Sequence, residues 1–274
     1  LRPWLPLPWW RPQPRKRRAK QRVLSSTDQG SFQVQLQDIL YCQGFGTRRV
    51  CAGLVQQGFV TVSGEPCTDS VCEFETDGLE FTVQGKPWAF HEKAYLVLNK
   101  PAGTECSQKP SAWPSIYTLL PSPLRLRPQK GAVQGVQAVG RLDQDTTGLL
   151  LLTDDGQFIH KMSSPRHHVP KVYEIVCCHE VTSQQVQRLL EGVVLDDDPK
   201  PVRAAACAAT GENTLQLTLT EGKYHQVKRM LAAVSNRVES LHRSRIGHFS
   251  LPADLAPGQW RWLSAEDLRQ VWQL

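Results

Sequence analysis

The sequence lacks the patterns that mark membrane helices, zinc sites and disulfide frameworks. Among its 274 residues, no run approaches the roughly 18 consecutive apolar residues that a membrane span requires. The eight cysteines include no Cys-x-x-Cys pair, and Cys177 is adjacent to Cys178, so neither a zinc site nor a set of disulfides is predicted. The start of the chain also lacks the charged and then apolar order of a signal peptide. We therefore expect a protein of the reducing cytoplasm, without a metal ion and without a membrane segment.

An excess of charge of one sign is also missing from most of the chain. The net charge is +6, but residues 1–24 carry eight basic and no acidic side chains, which leaves 24 basic and 26 acidic residues beyond them. Residues 1–31 are rich in proline and tryptophan and then in arginine and lysine, which predicts a disordered basic extension. Two interpretations of it stay open: an extension without specific function, or an arm whose charges add salt-sensitive affinity for phosphate backbones.

Residues 32–88 predict a small domain with two short helices and a β-hairpin. Apolar residues recur at helical spacing in 36–40 and 50–55, and a later segment alternates into a Ser-Gly turn. Arg48 and Arg49 stand at the start of the second helix. They form either a solvated helix face or, together with the helix N-terminus, a corner that binds phosphate.

A polar stretch at roughly residues 80–93 predicts a linker to a second domain, residues 93–274, in which strand and helix patterns are mixed. The predicted strands are 94–99, 136–139, 149–153, 171–178, 214–220 and 237–246. The predicted helices are 157–163, 183–191, 225–234 and 265–272. The proline-rich residues 121–131 predict an exposed loop, and no internal repeat is present.

Residues 139–148, followed by the apolar run 149–152, place a carboxylate on a polar loop directly before a buried strand. Asp143 stands two residues after Arg141. A nearby cation favours the ionised form of a carboxylate and a packed strand limits its movement, as an enzyme requires of a reactive aspartate. Ordinary turn chemistry remains the alternative, because Asp, Thr and Gly are common in turns. For Asp145 a turn role is favoured over an Asp-x-Asp metal site, since no convincing third ligand stands nearby.

Residues 221–231 form a cluster of polar and charged residues that runs into the predicted helix 225–234, which has an apolar face in the core and two cations in its first turns. Val227 and Leu231 share one face at i and i+4. Lys228 and Arg229 lie where the positive end of the helix dipole opposes a cation by about 0.3–1 kcal/mol. Such a cost indicates that the two cations have a function, although a basic solvated face remains the alternative.

Two sets of motifs resemble known families. The first set resembles the S4-type RNA-binding domain and consists of Leu36-Gln37-Asp38, Gly44, Thr47-Arg48-Arg49 and the hairpin 58–64. The second set resembles, in order and spacing, the pseudouridine synthases of the RsuA type, which act on bacterial small-subunit ribosomal RNA. Its motifs are 99–103, 140–149, 164–168, 171–173, 221–230 and 241–243. The resemblance covers the chain from about residue 36 to the C-terminus.

This resemblance implies an α+β fold, with a catalytic domain on a mixed, mainly antiparallel sheet and a small N-terminal S4-like domain. The implied activity is the isomerisation of a specific uridine to pseudouridine in 16S ribosomal RNA, on a nucleotide flipped out of its helix. Ribosomal RNA is the implied partner, and a monomer is expected. No cofactor is expected, because isomerisation has no net redox or hydrolytic step.

The resemblance also assigns roles to residues. Asp143 matches the nucleophile, Lys228 matches the basic residue paired with it, and Tyr173 matches the aromatic residue that stacks on the flipped base. The residues expected to bind substrate or RNA are Arg141, Leu231, Arg48, Arg49, Arg166, His167, His225 and Arg229. One alternative is a synthase acting on 23S ribosomal RNA or transfer RNA. Another is a non-catalytic RNA-binding assembly factor, which loss of Asp143 or Tyr173 would mark, and both residues are present.

Overall fold

The computed structural model describes residues 33–129, 134–196 and 198–272. The predicted basic extension, residues 1–31, lies outside these described ranges. In the ranges that are described, no helix is both long enough and apolar enough to cross a membrane.

The N-terminal part of the described chain folds around two helices and short strands. Its elements are β1 (Gln33–Gln35), α1 (Leu36–Gln43), α2 (Arg48–Gln56), β2 (Val60–Val62), β3 (Glu65–Pro66), β4 (Glu73–Glu75), β5 (Glu80–Val83) and β6 (Lys86–Ala89). A four-stranded antiparallel sheet has the order β3-β2-β5-β6, and β1 pairs with β4. The apolar faces of α1 and α2 pack on this sheet with their buried side chains in one cluster. We call residues 33–89 the N-terminal module.

Local sequence sets the ends of the two helices. The Thr47 hydroxyl accepts a hydrogen bond from the backbone N–H of Val50 at 3.3 Å, which caps the start of α2. Helix α1 ends at Gly44, which has a φ of 90° that favours glycine. A Cβ atom on Gly44 would lie 2.1 Å from the carbonyl oxygen of Pro123, so the glycine also allows close contact with the rest of the chain.

The predicted linker at 80–93 is wrong, because most of it is strand. Strands β5 and β6 pair with each other along their length, and β5 also pairs with β2. The side chains of Phe81 and Val83 are buried in the cluster of the module. The polar residues that suggested a linker lie on the outer side of these strands and in the turn at Gln84, whose φ is 51°.

The remaining described chain forms a sheet with helices on both faces. Its elements are β7 (Tyr95–Lys100), α3 (Ser122–Leu126), β8 (Gln137–Ala138), β9 (Thr147–Thr153), α4 (Gly156–Ser163), β10 (Lys171–Cys177), α5 (Ser183–Glu191), β11 (Val193–Leu195), β12 (Asp198–Val202), β13 (Ala206–Ala209), β14 (Thr214–Leu219), α6 (Gln226–Ala233), β15 (Val238–Ile246), β16 (Phe249–Ser250), β17 (Trp260–Trp262) and α7 (Ala265–Trp272). Two short 3-10 helices cover Ile116–Leu119 and Pro165–His167.

The large sheet confirms the predicted α+β class. Its order is β13-β14-β10-β15-β9-β7-β17, with β8 beside β9 and β16 beside β15. The pairing of β9 with β15 is parallel, and the other described pairings in this sheet are antiparallel. The sheet is therefore mixed and mainly antiparallel, as expected. The predicted loop at 121–131 is partly wrong, because Ser122–Leu126 is helical, with Pro123 in the first turn where proline is tolerated.

The apolar run at the centre of the sheet is buried on both faces. Leu150 and Leu152 of β9 lie in one core cluster together with residues of α5 and α6. Leu149 and Leu151 lie in a second cluster with residues of α4 and α7. Because side chains alternate along a strand, the continuous apolar sequence fits a strand covered by helices on both sides.

A buried arginine joins the N-terminal module to the large sheet. The Nε of Arg127 donates to Asp154 at 2.6 Å, just beyond β9, and its Nη1 donates to the side chain of Gln43 in α1 at 2.9 Å. Its Nη2 donates to the backbone carbonyl of His91 at 2.7 Å. We call this set the Arg127 clamp. Because one rigid guanidinium binds both parts, it fixes the position of the module against the sheet.

Candidate active site

The candidate site lies over a row of residues that crosses the large sheet. In this row Lys100 pairs with Gly148, Gly148 pairs with Arg243, and Arg243 pairs with Tyr173. A Cβ atom on Gly148 would lie 2.4 Å from the carbonyl oxygen of Arg243, and the φ of Gly148 is 102°. Glycine is therefore required where the parallel strands approach each other. The row brings two cations and an aromatic ring to the face that α6 covers.

Lys100 holds the loop that carries Asp143. Its side chain is fully buried, and its ammonium donates to the carbonyl oxygens of Thr146 at 2.9 Å and Gln144 at 3.4 Å. Burial lowers the pKa of Lys100 from its ordinary value. The backbone N–H of Gly103 also donates to Gln144, at 2.8 Å. Gln144 and Thr146, the two neighbours of Asp145, are therefore held in place by these hydrogen bonds.

Lys228 of α6 lies between two carboxylates of this loop. Its Nζ is 3.1 Å from Oδ2 of Asp143 and 2.7 and 2.9 Å from the two carboxylate oxygens of Asp145. The side chains of Lys228 and Asp143 are 28% and 29% exposed, so the pair is accessible from solvent. The predicted turn at Asp145 is present, but sequence analysis missed its contact with Lys228.

The charges in this group reinforce one another. Burial alone would lower the pKa of Lys228, but the hydrogen bonds to Asp145 and Asp143 outweigh it and raise that pKa above its ordinary value. Burial alone would raise the pKa of Asp145, but the hydrogen bond and charge of Lys228 hold it below its ordinary value. The ammonium and the Asp145 carboxylate therefore favour each other's charged forms next to Asp143.

His225 contacts Asp143 from the other side. Its Nε2 lies 3.4 Å from Oδ1 of Asp143, the carboxylate oxygen that Lys228 does not bind. His225 precedes α6 and has a φ of 49°, in the left-handed region that non-glycine residues rarely adopt. Its ring stacks on the ring of Tyr224 with centroids 3.8 Å apart. His225, expected to bind RNA, thus lies beside the predicted nucleophile.

Tyr173 lies in the same row of the sheet, where it is 8% exposed and belongs to the core cluster that includes Leu231. Its neighbour Arg243 is 2% exposed and donates from Nε to the carbonyl of Leu149 at 2.8 Å. Burial, with the charge of Arg243 as a second cause, lowers the pKa of Lys171 to about 8. Within the described residues, neither Lys171 nor Arg243 has a carboxylate partner. Two positive charges therefore lie near Tyr173 without a counter-charge.

The other predicted binding residues differ in their positions. Arg141 is exposed on the loop of Asp143. Leu231 is 1% exposed and lies in the core, as helical periodicity alone predicts. Arg229 donates to the backbone carbonyl of Tyr224 at 3.2 Å, which supports the segment before α6.

Four predicted RNA-binding residues lie elsewhere. Arg48 belongs to the N-terminal module, where its Nε donates to Asp38 at 2.7 Å and its guanidinium lies over the Tyr41 ring. Arg49 is exposed beside it. The side chains of Arg166 and His167 are exposed on the 3-10 turn after α4. In the described ranges, none of the four forms an ion pair with Asp143.

The described residues contain no group of three or more His, Cys, Asp or Glu side chains placed to hold a metal ion. Asp143 and Asp145 share the Lys228 ammonium instead.

Comparisons with known proteins show the family to which the chain belongs. A family model described as RNA pseudouridylate synthase matches residues 94–233, about half of the chain, which include β7, β9, β10 and α6 of the site but not β15. The chain belongs to the RNA pseudouridylate synthase family. It is therefore a pseudouridine synthase, as the resemblance in the sequence implied.

Relatives of this pseudouridine synthase match nearly their whole length. It is 38% identical over 239 residues to the uncharacterized RNA pseudouridine synthase YtzG of Bacillus subtilis (strain 168), covering 86% of this chain and 97% of that protein. It is 38% identical over 236 residues to ribosomal small subunit pseudouridine synthase A of Escherichia coli (strain K12), covering 85% and 98%. A solved pseudouridylate synthase structure is 32% identical, covers 87% of this chain and 99% of its own, and superposes with a TM-score of 0.60.

Proposed function

We propose that this enzyme converts a specific uridine of 16S ribosomal RNA into pseudouridine, with Asp143 as the nucleophile. The observation that carries the proposal is the setting of the Asp143 carboxylate. It is accessible, it stands on a loop that Lys100 holds from below, and Lys228 and His225 contact its two oxygens at 3.1 and 3.4 Å. A carboxylate that is fixed in place and open to a ligand is suited to nucleophilic catalysis.

In the proposed reaction, Asp143 attacks the target nucleotide at the sugar C1′ or at the base. The bond between N1 and C1′ breaks, the uracil turns, a new bond forms between C5 and C1′, and the bond between Asp143 and the nucleotide breaks, which restores the carboxylate. The C5 proton is lost and N1 gains a proton, so the composition of the RNA does not change. Tyr173 stacks on the everted base, which is consistent with its position in the row below the loop.

The charges of the site support a substrate with a phosphate backbone. A base inside a helix cannot reach Asp143, so the nucleotide must be extruded at a cost of a few kcal/mol, which phosphate contacts must offset. The exposed guanidinium of Arg141 lies on the loop itself. Lys171 and Arg243 add positive charge near Tyr173.

We propose that the N-terminal module is an S4-like domain that binds RNA outside the site. The exposed side chain of Arg49 at the start of α2 is suited to a phosphate contact, whereas Arg48 is held by Asp38. The Arg127 clamp fixes this module against the large sheet, so a single molecule could hold an RNA helix and the target nucleotide at a constant separation. We accordingly propose that a monomer is active.

Small-subunit RNA is the preferred substrate because of the relative from Escherichia coli, whose name assigns it to the ribosomal small subunit and which matches this chain over most of its length. The test uses purified enzyme with separate transcripts of 16S ribosomal RNA, 23S ribosomal RNA and transfer RNA. Pseudouridine formation is followed by release of tritium from uridine labelled at C5, and the modified position is then mapped.

The expected result is modification of one position in 16S ribosomal RNA and none in the other transcripts. Asp143→Asn should abolish turnover while RNA binding changes little, since the amide keeps the shape of the carboxylate but cannot act as the nucleophile. Turnover by this variant would exclude the proposed mechanism. Modification of 23S or transfer RNA alone would exclude the proposed substrate. Because a transcript does not reproduce an assembling particle, the same assay is run on small-subunit particles from cells that lack the enzyme.

A further inference from the structure

Tyr224 combines high exposure with a fixed position. Its side chain is 70% exposed, the largest value among the exposed large hydrophobic residues in the described ranges. The ring is not free, because it stacks on the ring of His225 with an angle of 20° between the planes. One face of the Tyr224 ring is therefore covered by His225, and with this exposure the opposite face is open to solvent.

The backbone next to this pair has an uncommon conformation. His225 has φ 49° and ψ 32°, in the left-handed region that few non-glycine residues adopt, histidine more often than most. The backbone carbonyl of Tyr224 accepts a hydrogen bond from Arg229 at 3.2 Å, and α6 begins directly after His225. The helix and Arg229 thus determine where the two rings lie, as expected of a preformed binding surface.

His225 connects the ring stack to the proposed nucleophile. Its Nε2, at the edge of the imidazole, lies 3.4 Å from Oδ1 of Asp143, and the Tyr224 ring covers one face of the imidazole with centroids 3.8 Å apart. This ring spacing is close to the separation of about 3.4 Å between stacked bases in a nucleic acid strand. A base on the open face of Tyr224 would continue the ring stack by one layer.

Extrusion of a uridine creates a need for such a layer. When the target nucleotide leaves its helix, the neighbouring base loses a stacking partner, and an aromatic side chain can replace that partner. We propose that Tyr224 and His225 form a base-stacking platform, on which the nucleobase next to the target uridine packs against the open face of Tyr224. This inference rests on the proposed function, since it requires an RNA substrate with an everted uridine at Asp143.

The test compares four enzymes on the shortest RNA that the wild type modifies. Tyr224→Ala and Tyr224→Leu remove the aromatic face, and Tyr224→Phe keeps the face but loses the hydroxyl. We expect KM to rise by a factor of about 5 to 150 for the alanine and leucine variants, the range for loss of one stacked base. The phenylalanine variant should stay close to wild type. Far-ultraviolet circular dichroism and the unfolding midpoint should match in all four enzymes, because the side chain is exposed.

A change in the RNA identifies the stacked base. The nucleotide before or after the target uridine is replaced by an abasic residue, and KM is measured for wild type and Tyr224→Ala. One of the two replacements should raise KM for wild type but add little for Tyr224→Ala, because the stacking contact is already absent in that variant.

Equal KM values for the wild type and Tyr224→Ala would overturn the platform, as would an equal effect of both abasic RNAs on the two enzymes. An effect of Tyr224→Ala that is seen only with assembling particles would also overturn it, in favour of a protein partner. A wild type that modifies no RNA would instead refute the proposed function.

Discussion

Replacement of Arg127 by methionine should destabilise the protein strongly, because it leaves a charge buried without its partner. The Arg127 and Asp154 side chains are 2% and 8% exposed, and their closest atoms are 2.6 Å apart. In Arg127→Met, the Asp154 carboxylate keeps the backbone N–H of Ala94 at 2.8 Å but loses its cation. Breaking one partner of such a buried pair costs about 3–5 kcal/mol, and we expect a fall of this size in the free energy of unfolding.

The assay is unfolding in urea followed by tryptophan fluorescence, since Trp88 donates to Gln43, which also accepts from Arg127. Arg127→Met combined with Asp154→Leu should recover part of the loss, because no charge then stays buried, although the N–H of Ala94 loses its acceptor. The matched control is Arg269→Met, since Arg269 forms an ion pair in which both side chains are exposed. No measurable change is expected there. A loss below about 1 kcal/mol for Arg127→Met, or a double variant less stable than both single variants, would refute the reasoning.

Three further predictions concern the site. Lys228→Met should lower kcat more than it raises KM for RNA, because the ammonium contacts Asp143. A change in KM alone would instead assign Lys228 to phosphate binding. Asp145→Asn should lower kcat less than Asp143→Asn, because the amide still accepts a hydrogen bond from Lys228; equal losses in the tritium-release assay would contradict this order. Lys171 has a pKa of about 8 in the folded protein against an ordinary value of 10.5, so this side chain binds its proton more tightly in the unfolded chain and contributes stability that increases with pH between these values. From pH 8 to pH 10 the urea midpoint of Lys171→Met should therefore rise less, or fall more, than that of the wild type, and the same pH dependence in both proteins would show that burial and Arg243 do not act on Lys171 as described.

The fold could be predicted from the sequence wherever apolar residues followed the spacing of a helix or of a strand over a long segment. Helices α5 and α7 have the predicted bounds, and the long strands β9, β10 and β15 differ from the predicted ranges by at most two residues. The prediction failed at 80–93, because β5 and β6 are short and each exposes polar residues on one side. A short strand with one solvent-exposed face has the composition of a linker. The strand that pairs with β5, β2, lies about 20 residues earlier in the chain.

The same distinction applies to the site, where a continuous motif could be found in the sequence but contacts between distant residues could not. Asp143 could be predicted as a candidate because its motif is continuous in the chain, from the loop into the buried strand β9, and its catalytic role stays a prediction. The role of Asp145 could not be predicted, since its partner Lys228 is 83 residues away. Lys100 was part of a recognised motif, but its function depends on the carbonyls of Gln144 and Thr146, 44 and 46 residues further along. Contacts at such separation follow from the tertiary fold and not from local sequence, and the pairing of Lys228 with Asp143 was predicted only because the resemblance implies it.

Lys228 contacts Asp145 at shorter distances than Asp143, and this difference matters for the proposed reaction. If Asp143 forms a bond to the nucleotide, its carboxylate loses its negative charge, and a lysine paired with Asp143 alone would be left without a counter-charge in a partly buried site. Asp145 prevents this, because it binds the same ammonium through two shorter contacts and takes no part in the new bond. Lys228 can therefore stay in place while the charge on Asp143 disappears and returns. The second carboxylate of the loop thus preserves the geometry to which Asp143 must return when the product nucleotide is released.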